Sequence, residues 1–243
     1  KMLYDQAMIS MACLEAFQLT GNEEYAQIAR EIFTYVLRDM TDKDGGFYSA
    51  EDADSEGEEG IFYIWTEKEF VEILGEEKGK MLAKIYGFTE IGNFHEEATG
   101  ETTGNNIPHF PYDQLSLASK VGMNLEVFNA FIESTREQLF NVRKKRIHPL
   151  KDDKILTDWN GLMIAALSHG GQILGDDIFI DAAKNAADFV LTSLRNKNGR
   201  LMKRSRLGKA GLPPHLDDYS FMVFGLLNLY EATFDAKFLE SAL

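Results

Sequence analysis

The sequence has little cysteine, little proline and an excess of acidic over basic residues. Its single cysteine, Cys13, excludes an intramolecular disulfide and a zinc site built from several thiolates within these 243 residues. No apolar run approaches the roughly 18 residues that a membrane-spanning helix needs. Lysine and arginine number 25 against 39 aspartates and glutamates, so the formal net charge is -14. A chain of this charge repels phosphate backbones and anionic bilayers, so we expect neither nucleic acid nor a membrane as partner.

The composition is that of a soluble globular protein. Hydrophobic residues make up 44% of the chain and charged residues 26%, which is enough to bury a sizeable core. A length of 243 residues suits one large domain, so we predict a single domain over residues 1–243. The segment Lys1–Asp5 is unlike a signal or transit peptide, and a lone cysteine suits a reducing compartment, so the expected location is the cytoplasm.

An internal repeat of helical hairpins organises the sequence. The first forty residues contain two helices, with apolar residues three and four positions apart, joined by a turn within Gln18–Asn22. The same layout returns where Gln172–Asp176 matches that turn and Gly199 matches Gly45. A third copy begins at Asp218. Such a repeat predicts a helical solenoid or a closed toroid, with the first, more apolar helix of each copy in the inner ring.

The segment between the first two copies has a different pattern. It predicts an extended run at Ile61–Trp65, a helix over Thr66–Tyr86, a long polar loop over Gly87–Tyr112 and a helix over Leu125–Arg146. A loop of that length is usually functional or disordered. Because the third copy stops within a hairpin and the first lacks a residue to cap it, we expect the chain to be part of a longer protein.

Acidic and aromatic residues recur together at the start of each inner helix. They are Tyr4 and Asp5 in the first copy, Asp158, Trp159 and Asn160 in the second, and Asp217, Asp218 and Tyr219 in the third. Sugar sites use such pairs, because an aromatic ring stacks on the apolar face of a sugar while carboxylates accept hydroxyl protons or act as general acids and bases. The same acids are also expected helix caps, so both interpretations are open.

The acidic loop Glu51–Gly60 is a second candidate for chemistry. It begins like a calcium-binding EF-hand loop, with Asp52 and Asp54, and aromatic residues that include Trp65 follow it. The twelfth position is Tyr63, so the bidentate glutamate is missing and an EF-hand is excluded. A solvated loop, a looser metal site and a proton donor above a cavity remain as interpretations. We predict no metal ion and no cofactor.

The five histidines have no spacing typical of a zinc site. His215 lies in a stiff loop, Pro213–Asp218, two residues before Asp217, where its imidazole either faces the same cavity or is a hydrogen-bonded structural group. Motifs for a serine nucleophile, a dinucleotide or a nucleotide phosphate are missing from the sequence, which disfavours phosphoryl transfer and nicotinamide chemistry.

Four stretches are similar to signature sequences of one family. They occur in order along the chain, at Lys1–Ala7, Gly45–Gly57, Asp152–Ile164 and Leu216–Tyr219. On these stretches the chain resembles the YyaL-like, spermatogenesis-associated family of thioredoxin-fused proteins. The resemblance implies a thioredoxin-like domain, absent from this chain, joined to a six-hairpin glycosidase-like toroid related to the N-acylglucosamine 2-epimerases. The implied fold class is all-α, an incomplete (α/α)6 toroid that lacks its C-terminal part and has short β excursions in its loops.

Two functional hypotheses follow, because toroids of this kind act on sugars. In the first, the chain is carbohydrate-active, as a glycoside hydrolase or a sugar 2-epimerase. Its acid/base groups would be Asp52, Asp54, Asp217 and Asp218, and its substrate-binding residues Tyr4, Asp5, Trp65, Trp159, Asn160, His215 and Tyr219. In the second, a non-catalytic toroid binds or scaffolds the thioredoxin-like domain. A hydrolase requires two carboxyl groups roughly 5–10 Å apart around one point, and a scaffold does not.

Overall fold

A computed structural model describes residues 1–95, 100 and 102–243. The described residues form two compact units, each with an apolar core of its own. Unit 1 combines residues 1–52 with residues 151–243, and unit 2 contains the described residues from 53 to 150. The repeated hairpins therefore lie in unit 1, and the divergent segment between the first two copies forms unit 2. This division is finer than the single domain expected from the length.

Helices account for most of the regular structure. The described residues contain α1 (Leu3–Thr20), α2 (Glu23–Asp39), α3 (Glu67–Leu74), α4 (Glu76–Ile85), α5 (Gln114–Lys120), α6 (Leu125–Arg143), α7 (Thr157–Leu174), α8 (Asp177–Ser193), α9 (Leu216–Thr233) and α10 (Ala236–Ala242). Short strands accompany them, at β1 (Ala50–Glu51), β2 (Asp54–Ser55), β3 (Glu58–Glu59), β4 (Lys151–Asp152), β5 (Ile155–Leu156), β6 (Arg204–Arg206) and β7 (Lys209–Gly211). Across the described ranges, no helix is long and apolar enough to span a membrane.

The same local signals produce the first two hairpins of unit 1. Gly21 ends α1 with a φ of 68°, and its N–H donates back to the last turn of the helix. Asn22 then caps α2 by accepting a hydrogen bond from its first turn. Gly175, with a φ of 64°, and Asp176 end α7 and cap α8 in the same way. Because glycine adopts the left-handed conformation at little cost and Asx oxygens satisfy free N–H groups, the sequence repeat becomes a structural repeat.

The first helices of the three hairpins, α1, α7 and α9, lie side by side with α7 in the middle. Each packs against its own second helix, which is α2, α8 or α10. Because α7 has neighbours on several sides, its residues from Gly161 to Ser168 are all buried. A row of first helices with second helices packed against it is the arrangement of an (α/α) toroid. The predicted fold class, all-α hairpins of the incomplete (α/α)6 toroid with short β excursions, is confirmed.

Glycines let α7 and α9 approach until their backbones touch. A Cβ added at Gly161 would lie 2.5 Å from the carbonyl oxygen of Phe221. A Cβ added at Gly225 would lie 2.5 Å from the carbonyl oxygen of Gly161. Both distances are far inside van der Waals contact, so a larger side chain at either position must push the two helices apart.

Short strands tie the inner helices to the turns that follow the hairpins. β5 leads directly into α7 and pairs antiparallel with β6, which pairs in turn with β7. Close to the strands, the N–H of Thr157 donates to the carbonyl of Lys203. In the first copy, β1 pairs with β4, and the N–H of Leu3 donates to the carbonyl of Ser49. The chain that returns from each of the first two hairpins is thereby held at the N-terminal end of an inner helix.

The helices of unit 2 differ from the sequence prediction. The single helix predicted over Thr66–Tyr86 is wrong, because the chain is interrupted at Gly75, whose φ of 85° does not fit a helix. The helix predicted over Leu125–Arg146 ends at Arg143. A short helix, α5, lies in a segment for which none was predicted. The long loop predicted over residues 87–112 is described only in part, because residues 96–99 and 101 lie outside the described residues.

The extended run predicted at Ile61–Trp65 is wrong for its first residues, which form a turn. One guanidinium nitrogen of Arg146 donates to the carbonyls of Ile61, Phe62 and Ile64. The guanidinium also lies 4.0 Å from the centroid of the Trp65 ring. Carbonyls along an extended strand alternate in direction, so three of them converge on one cation only where the backbone curls.

Replacement of Gly161 or Gly225 by alanine is predicted to destabilise the protein. The added methyl group forces backbone atoms of α7 and α9 apart, and such overpacking costs about 1–3 kcal/mol. The higher helix propensity of alanine offsets up to about 1 kcal/mol of this cost. We expect a net loss of about 1–2 kcal/mol in the free energy of unfolding, measured by urea denaturation.

Gly211→Ala is the control for these variants. A methyl group added at Gly211 meets no described atom within 4 Å, so this change should alter stability by less than about 0.5 kcal/mol. Unchanged stability of Gly161→Ala and Gly225→Ala would contradict the backbone contact between the two helices.

Candidate functional site

Two acidic residues and a lysine meet where α7 and α9 begin. The Nζ of Lys203 lies 2.6 Å from Oδ2 of Asp158 and 3.2 Å from Oδ1 of Asp218. The N–H of Asp158 also donates to Oδ1 of Asp218, at 3.3 Å. We call these three residues the ion triad. Each acid stands in the first turn of its helix, where a negative charge interacts favourably with the helix dipole.

The ion triad is largely removed from water. Asp218 is fully buried, Asp158 is 6% exposed, and the side chain of Lys203 is 22% exposed. Burial alone would lower the pKa of Lys203, but its hydrogen bonds to Asp158 and Asp218, together with their negative charges, raise that pKa above its ordinary value. Lys203 therefore stays protonated, and one cation compensates two carboxylates.

The oxygens of both acids are engaged within the protein. Oδ2 of Asp218 accepts a hydrogen bond of 2.7 Å from the backbone N–H of His215, and this bond fixes the start of α9. Oδ1 of Asp158 accepts a hydrogen bond of 2.9 Å from the backbone N–H of Trp159. The structure thus supports the capping interpretation for Asp158 and Asp218, and little of either carboxylate reaches solvent. Asp217, by contrast, is exposed in the first turn of α9.

Lys203 was not among the site residues predicted from the sequence. The repeat contains the signal that finds it, because the carbonyl of Lys203 accepts from the start of α7 as the carbonyl of Ser49 accepts from the start of α1. Lys203 therefore occupies the position of Ser49 beside an inner helix. A basic residue at that position, close to two first-turn acids, predicts an ion pair once the copies are aligned in register.

Two of the predicted aromatic residues meet at the same end of the inner helices. The ring centroids of Tyr4 on α1 and Trp159 on α7 lie 4.8 Å apart, with an interplanar angle of 64°, which is an edge-to-face contact. Both side chains are partly exposed. Trp159 directly follows Asp158, so the aromatic pair and the ion triad are anchored at adjacent backbone positions at the start of α7.

A groove with a volume of about 930 Å³ opens beside these rings. We name it the inner groove. Its lining residues come from α1, α7 and α9 and are Tyr4, Met8, Met11, Ala12, Glu15, Trp159, Leu162, Ser220, Phe221 and Phe224. Most of them are apolar, and among these described residues Glu15 alone carries a carboxylate. Oε1 of Glu15 lies 3.3 Å from Nε2 of His169, an ion-pair distance without the geometry of a hydrogen bond.

Asn160 lies behind the aromatic pair, within the core. Its side chain is fully buried, and its amide donates to the carbonyls of Phe47 and Leu156, at 3.0 and 2.8 Å. Its oxygen accepts a hydrogen bond of 2.8 Å from the N–H of Phe47. Asn160 thus joins the start of α7 to the turn that follows α2, and these backbone partners occupy its amide.

Several other predicted residues lie near the starts of the inner helices. Asp5 is half-buried in the first turn of α1. His215 and Tyr219 are exposed on either side of the first turn of α9, and 39% of Tyr219 is accessible to solvent. These positions leave the three side chains open to a ligand.

The remaining predicted residues belong to the acidic loop and the segment after it. Asp52 is exposed at the end of the first segment of unit 1, and Asp54 is exposed in β2 of unit 2. Trp65, also in unit 2, is 3% exposed, with the guanidinium of Arg146 over its ring. Little of the indole is therefore available to a ligand. A common site of Asp54 and Trp65 with Asp217, Asp218 and Trp159 stays a prediction.

Comparison with known proteins finds relatives along the whole chain. No protein-family model matches it. Spermatogenesis-associated protein 20 of Homo sapiens is 39% identical over 269 residues, covering 100% of this chain and 34% of that protein. An uncharacterised protein of Caenorhabditis elegans is 28% identical over 267 residues, covering 100% of this chain and 36% of that protein.

This chain is a relative of spermatogenesis-associated protein 20. The resemblance predicted from four short sequence stretches is thereby confirmed over the full length of the chain. The chain spans about a third of the length of the curated relatives that it matches.

Two solved structures with detectable similarity are named as sugar-active proteins. A D-mannose isomerase aligns with a TM-score of 0.39 and 15% identity, over 100% of this chain and 56% of that one. A GH76 α-mannanase of Bacteroides thetaiotaomicron aligns with a TM-score of 0.37 and 14% identity, over 100% of this chain and 59% of that one. At these TM-scores neither likeness bears on the position or chemistry of a site.

Lys203→Met is predicted to destabilise the protein by about 3 kcal/mol, because it leaves Asp158 and Asp218 close together and buried without a counter-charge. Chemical denaturation near neutral pH measures this loss. Arg206→Met is the matched control, since the ion pair of Arg206 with Asp153 is much more exposed, at 55% and 32% of the two side chains, and such pairs contribute under about 1 kcal/mol. Equal losses in the two variants would contradict a special role of the triad.

Proposed function

We propose that this chain is part of a carbohydrate-active toroid, of the glycoside hydrolase or sugar epimerase type, and that it binds sugar where α1, α7 and α9 begin. The observation that carries the proposal is the partly exposed edge-to-face pair of Tyr4 and Trp159. A partly exposed aromatic surface matches a sugar ring, which has apolar C–H faces that stack on aromatic rings.

The side chains at this end divide into two groups by burial. Asp158 and Asp218 are buried and hold Lys203, so we assign them a positioning role. Lys203 uses two of its three N–H donors on them and is partly exposed, so the third can donate to a sugar hydroxyl. Trp159 and Tyr4 form the stacking surface.

The proposed acid/base groups are the exposed carboxylates. Asp217 stands in the first turn of α9, and Asp52 and Asp54 lie in the acidic loop. Exposure lets each of these three groups meet a substrate, whereas Asp218 is enclosed. A hydrolase of this kind would pair Asp217 with a second carboxyl group, for which Asp52 is the candidate within unit 1, and a separation near 5 Å would favour retention of configuration.

The composition of the inner groove favours a second candidate function. Its described lining is mostly apolar and includes one carboxylate, that of Glu15. Such a surface suits a binding or scaffolding toroid that holds another polypeptide, for which the thioredoxin-like domain of the family is the proposed partner. If the chain is such a scaffold, any sugar binding or turnover by the whole protein is independent of Asp217 and Trp159.

Trp159→Ala is predicted to weaken sugar binding by five- to thirtyfold in Kd, corresponding to about 1–2 kcal/mol of lost stacking. Isothermal titration calorimetry of the intact protein against a panel of mono- and disaccharides measures this change. Tyr25→Ala is the control, because Tyr25 is a 36% exposed aromatic residue on the second helix α2 rather than at the inner groove.

Asp217→Asn separates catalysis from binding. If Asp217 is an acid/base group, this variant should bind the sugar with an unchanged Kd and lose at least about a hundredfold in kcat. If the wild-type protein binds none of the sugars, this result would contradict the carbohydrate proposal and favour the scaffold.

A further inference from the structure

The segment that follows α8 carries a run of positive charge. Residues 189–216 contain seven lysines and arginines and no aspartate or glutamate, whereas the other residues of the chain have 18 basic against 39 acidic side chains. The strands β6 and β7 lie within this run and pair with each other. A chain with a formal net charge of -14 therefore has a strongly basic segment that is folded as a β-hairpin.

One face of this hairpin is basic. Arg206 of β6 lies directly opposite Lys209 of β7, so their side chains stand on the same face of the sheet. Arg204 is two residues before Arg206 and shares that face, because side chains alternate along a strand. The opposite face is buried, since Ser205 and its partner Ile155 on β5 are 3% and 5% exposed. We call Arg204, Arg206 and Lys209 the basic face.

Acidic side chains of the protein neutralise little of the basic face. Nε of Arg206 lies 2.6 Å from Oδ1 of Asp153, in a pair whose two side chains are 55% and 32% exposed. Within the described ranges, no hydrogen-bond acceptor or acidic group partners the side chain of Arg204 or Lys209. Like charges directly opposite each other destabilise a sheet. The pair of Arg206 and Lys209 is therefore unfavourable for folding and suits an external anion.

Arg204 has room to bind a carboxylate. Its cross-strand partner is Gly211, which has no side chain, and a Cβ added there would meet no described atom within 4 Å. A guanidinium binds a carboxylate through two parallel hydrogen bonds when its approach is open. Arg204 and Arg206 are two residues apart on one strand, which places their Cα atoms about 7 Å apart. Carboxylates at alternate positions of an extended peptide have the same spacing.

Two leucines of the hairpin are exposed in strained backbone conformations. Leu207, in the turn between β6 and β7, is 84% exposed with a φ of 50°, and Leu212, just after β7, is 54% exposed with a φ of 65°. Asparagine and glycine are favoured where a hairpin turn requires a positive φ, and the left-handed region is unfavourable for leucine. Residues held in such conformations cluster at functional sites. These leucines indicate contact with an apolar group of a partner.

We propose that the basic face binds an extended, acidic polypeptide segment of a partner protein. Carboxylates at alternate positions of the segment pair with Arg204 and Arg206, and Lys209 adds a further positive charge beside them. An apolar residue that follows the carboxylates packs on Leu207, which directly follows Arg206. The proposal is independent of sugar binding, since it uses none of the residues assigned to the sugar.

Other polyanions fit the basic face less well. Residues 195–216 contain no phenylalanine, tyrosine or tryptophan to stack on the bases of a nucleic acid. An anionic bilayer is repelled by the acidic remainder of the chain. Exposed leucine beside arginine matches a polypeptide, which can present apolar and acidic side chains together.

Fluorescence anisotropy with labelled peptides tests the proposal. The acidic peptide, acetyl-GETETLLG-amide, has two glutamates at alternate positions followed by leucines, and its neutral counterpart has glutamine at both glutamate positions. We expect the intact protein to bind the acidic peptide saturably and at least about tenfold more tightly than the neutral one, because charge-assisted hydrogen bonds are lost in the latter. Added salt should weaken this binding, since exposed ion pairs are screened.

A matched pair of double variants locates the binding. Arg204→Gln combined with Lys209→Gln should raise the Kd of the acidic peptide at least about tenfold. Lys144→Gln combined with Lys145→Gln removes the same charge from an exposed basic run in unit 2 and should change that Kd by less than about twofold. Circular dichroism spectra and melting temperatures establish that both double variants are folded.

Leu207→Asn separates a binding role of this leucine from a structural one. Asparagine before Gly208 suits a turn in which both residues have a positive φ, so the melting temperature should stay the same or rise. The Kd of the acidic peptide should nevertheless rise at least about threefold, because an apolar contact is lost. A leucine with only a structural role would leave that Kd unchanged.

Several results would overturn the proposal. They are the absence of saturable binding by the acidic peptide, equal binding of the neutral peptide, and equal losses in the two double variants. A DNA oligonucleotide, or vesicles of two parts phosphatidylcholine to one part phosphatidylserine, could also bind the basic face more tightly than the peptide does. That result would replace the polypeptide by a nucleic acid or a bilayer as the partner.

Discussion

The backbone contact between α7 and α9 at Gly161 and Gly225 is the constraint on which the site depends. It brings the N-terminal ends of two inner helices together, and their partial positive charges repel each other. Asp158 and Asp218 place negative charge at both ends, but two buried acids at this separation also repel. Lys203 lies between them and is held protonated by both. Helix packing, helix dipoles and the ion triad are therefore parts of one arrangement.

The inner groove follows from the same arrangement. α7 contributes Trp159 and Leu162 to its lining, and α1 and α9 contribute the rest. The groove's width is thus set by how closely the two outer members of the row approach α7. The ion triad fixes the first turn of α7 and with it the position of Trp159, whose N–H donates to Asp158. The buried acids organise the surface, while the exposed side chains are left for a ligand.

Much of the fold of unit 1 could be predicted from the sequence, because residues at each turn specify the hairpin repeat locally. Gly21 and Gly175 mark helix ends by their backbone freedom, and this signal needs no tertiary information. The third copy turns at Phe234, a left-handed residue that local preference would not select. The fold of unit 2 was harder to predict from the sequence. Gly75 interrupts a helical pattern that continues on both sides. The turn at Ile61–Ile64 depends on Arg146, which is distant in the sequence.

The residue types of the site could be predicted from the sequence, but the burial of each side chain could not. The acidic and aromatic residues at the helix starts do gather there, as Tyr4 and Trp159 show. The sequence alone does not show that Asp218 is buried and Asp217 exposed, because this difference depends on the rotation of α9 against α7. The most direct test of the account is a crystal structure of the intact protein with a mono- or disaccharide that it binds in solution. We expect the sugar ring to stack on the indole of Trp159. Another polypeptide segment filling the inner groove would contradict the account.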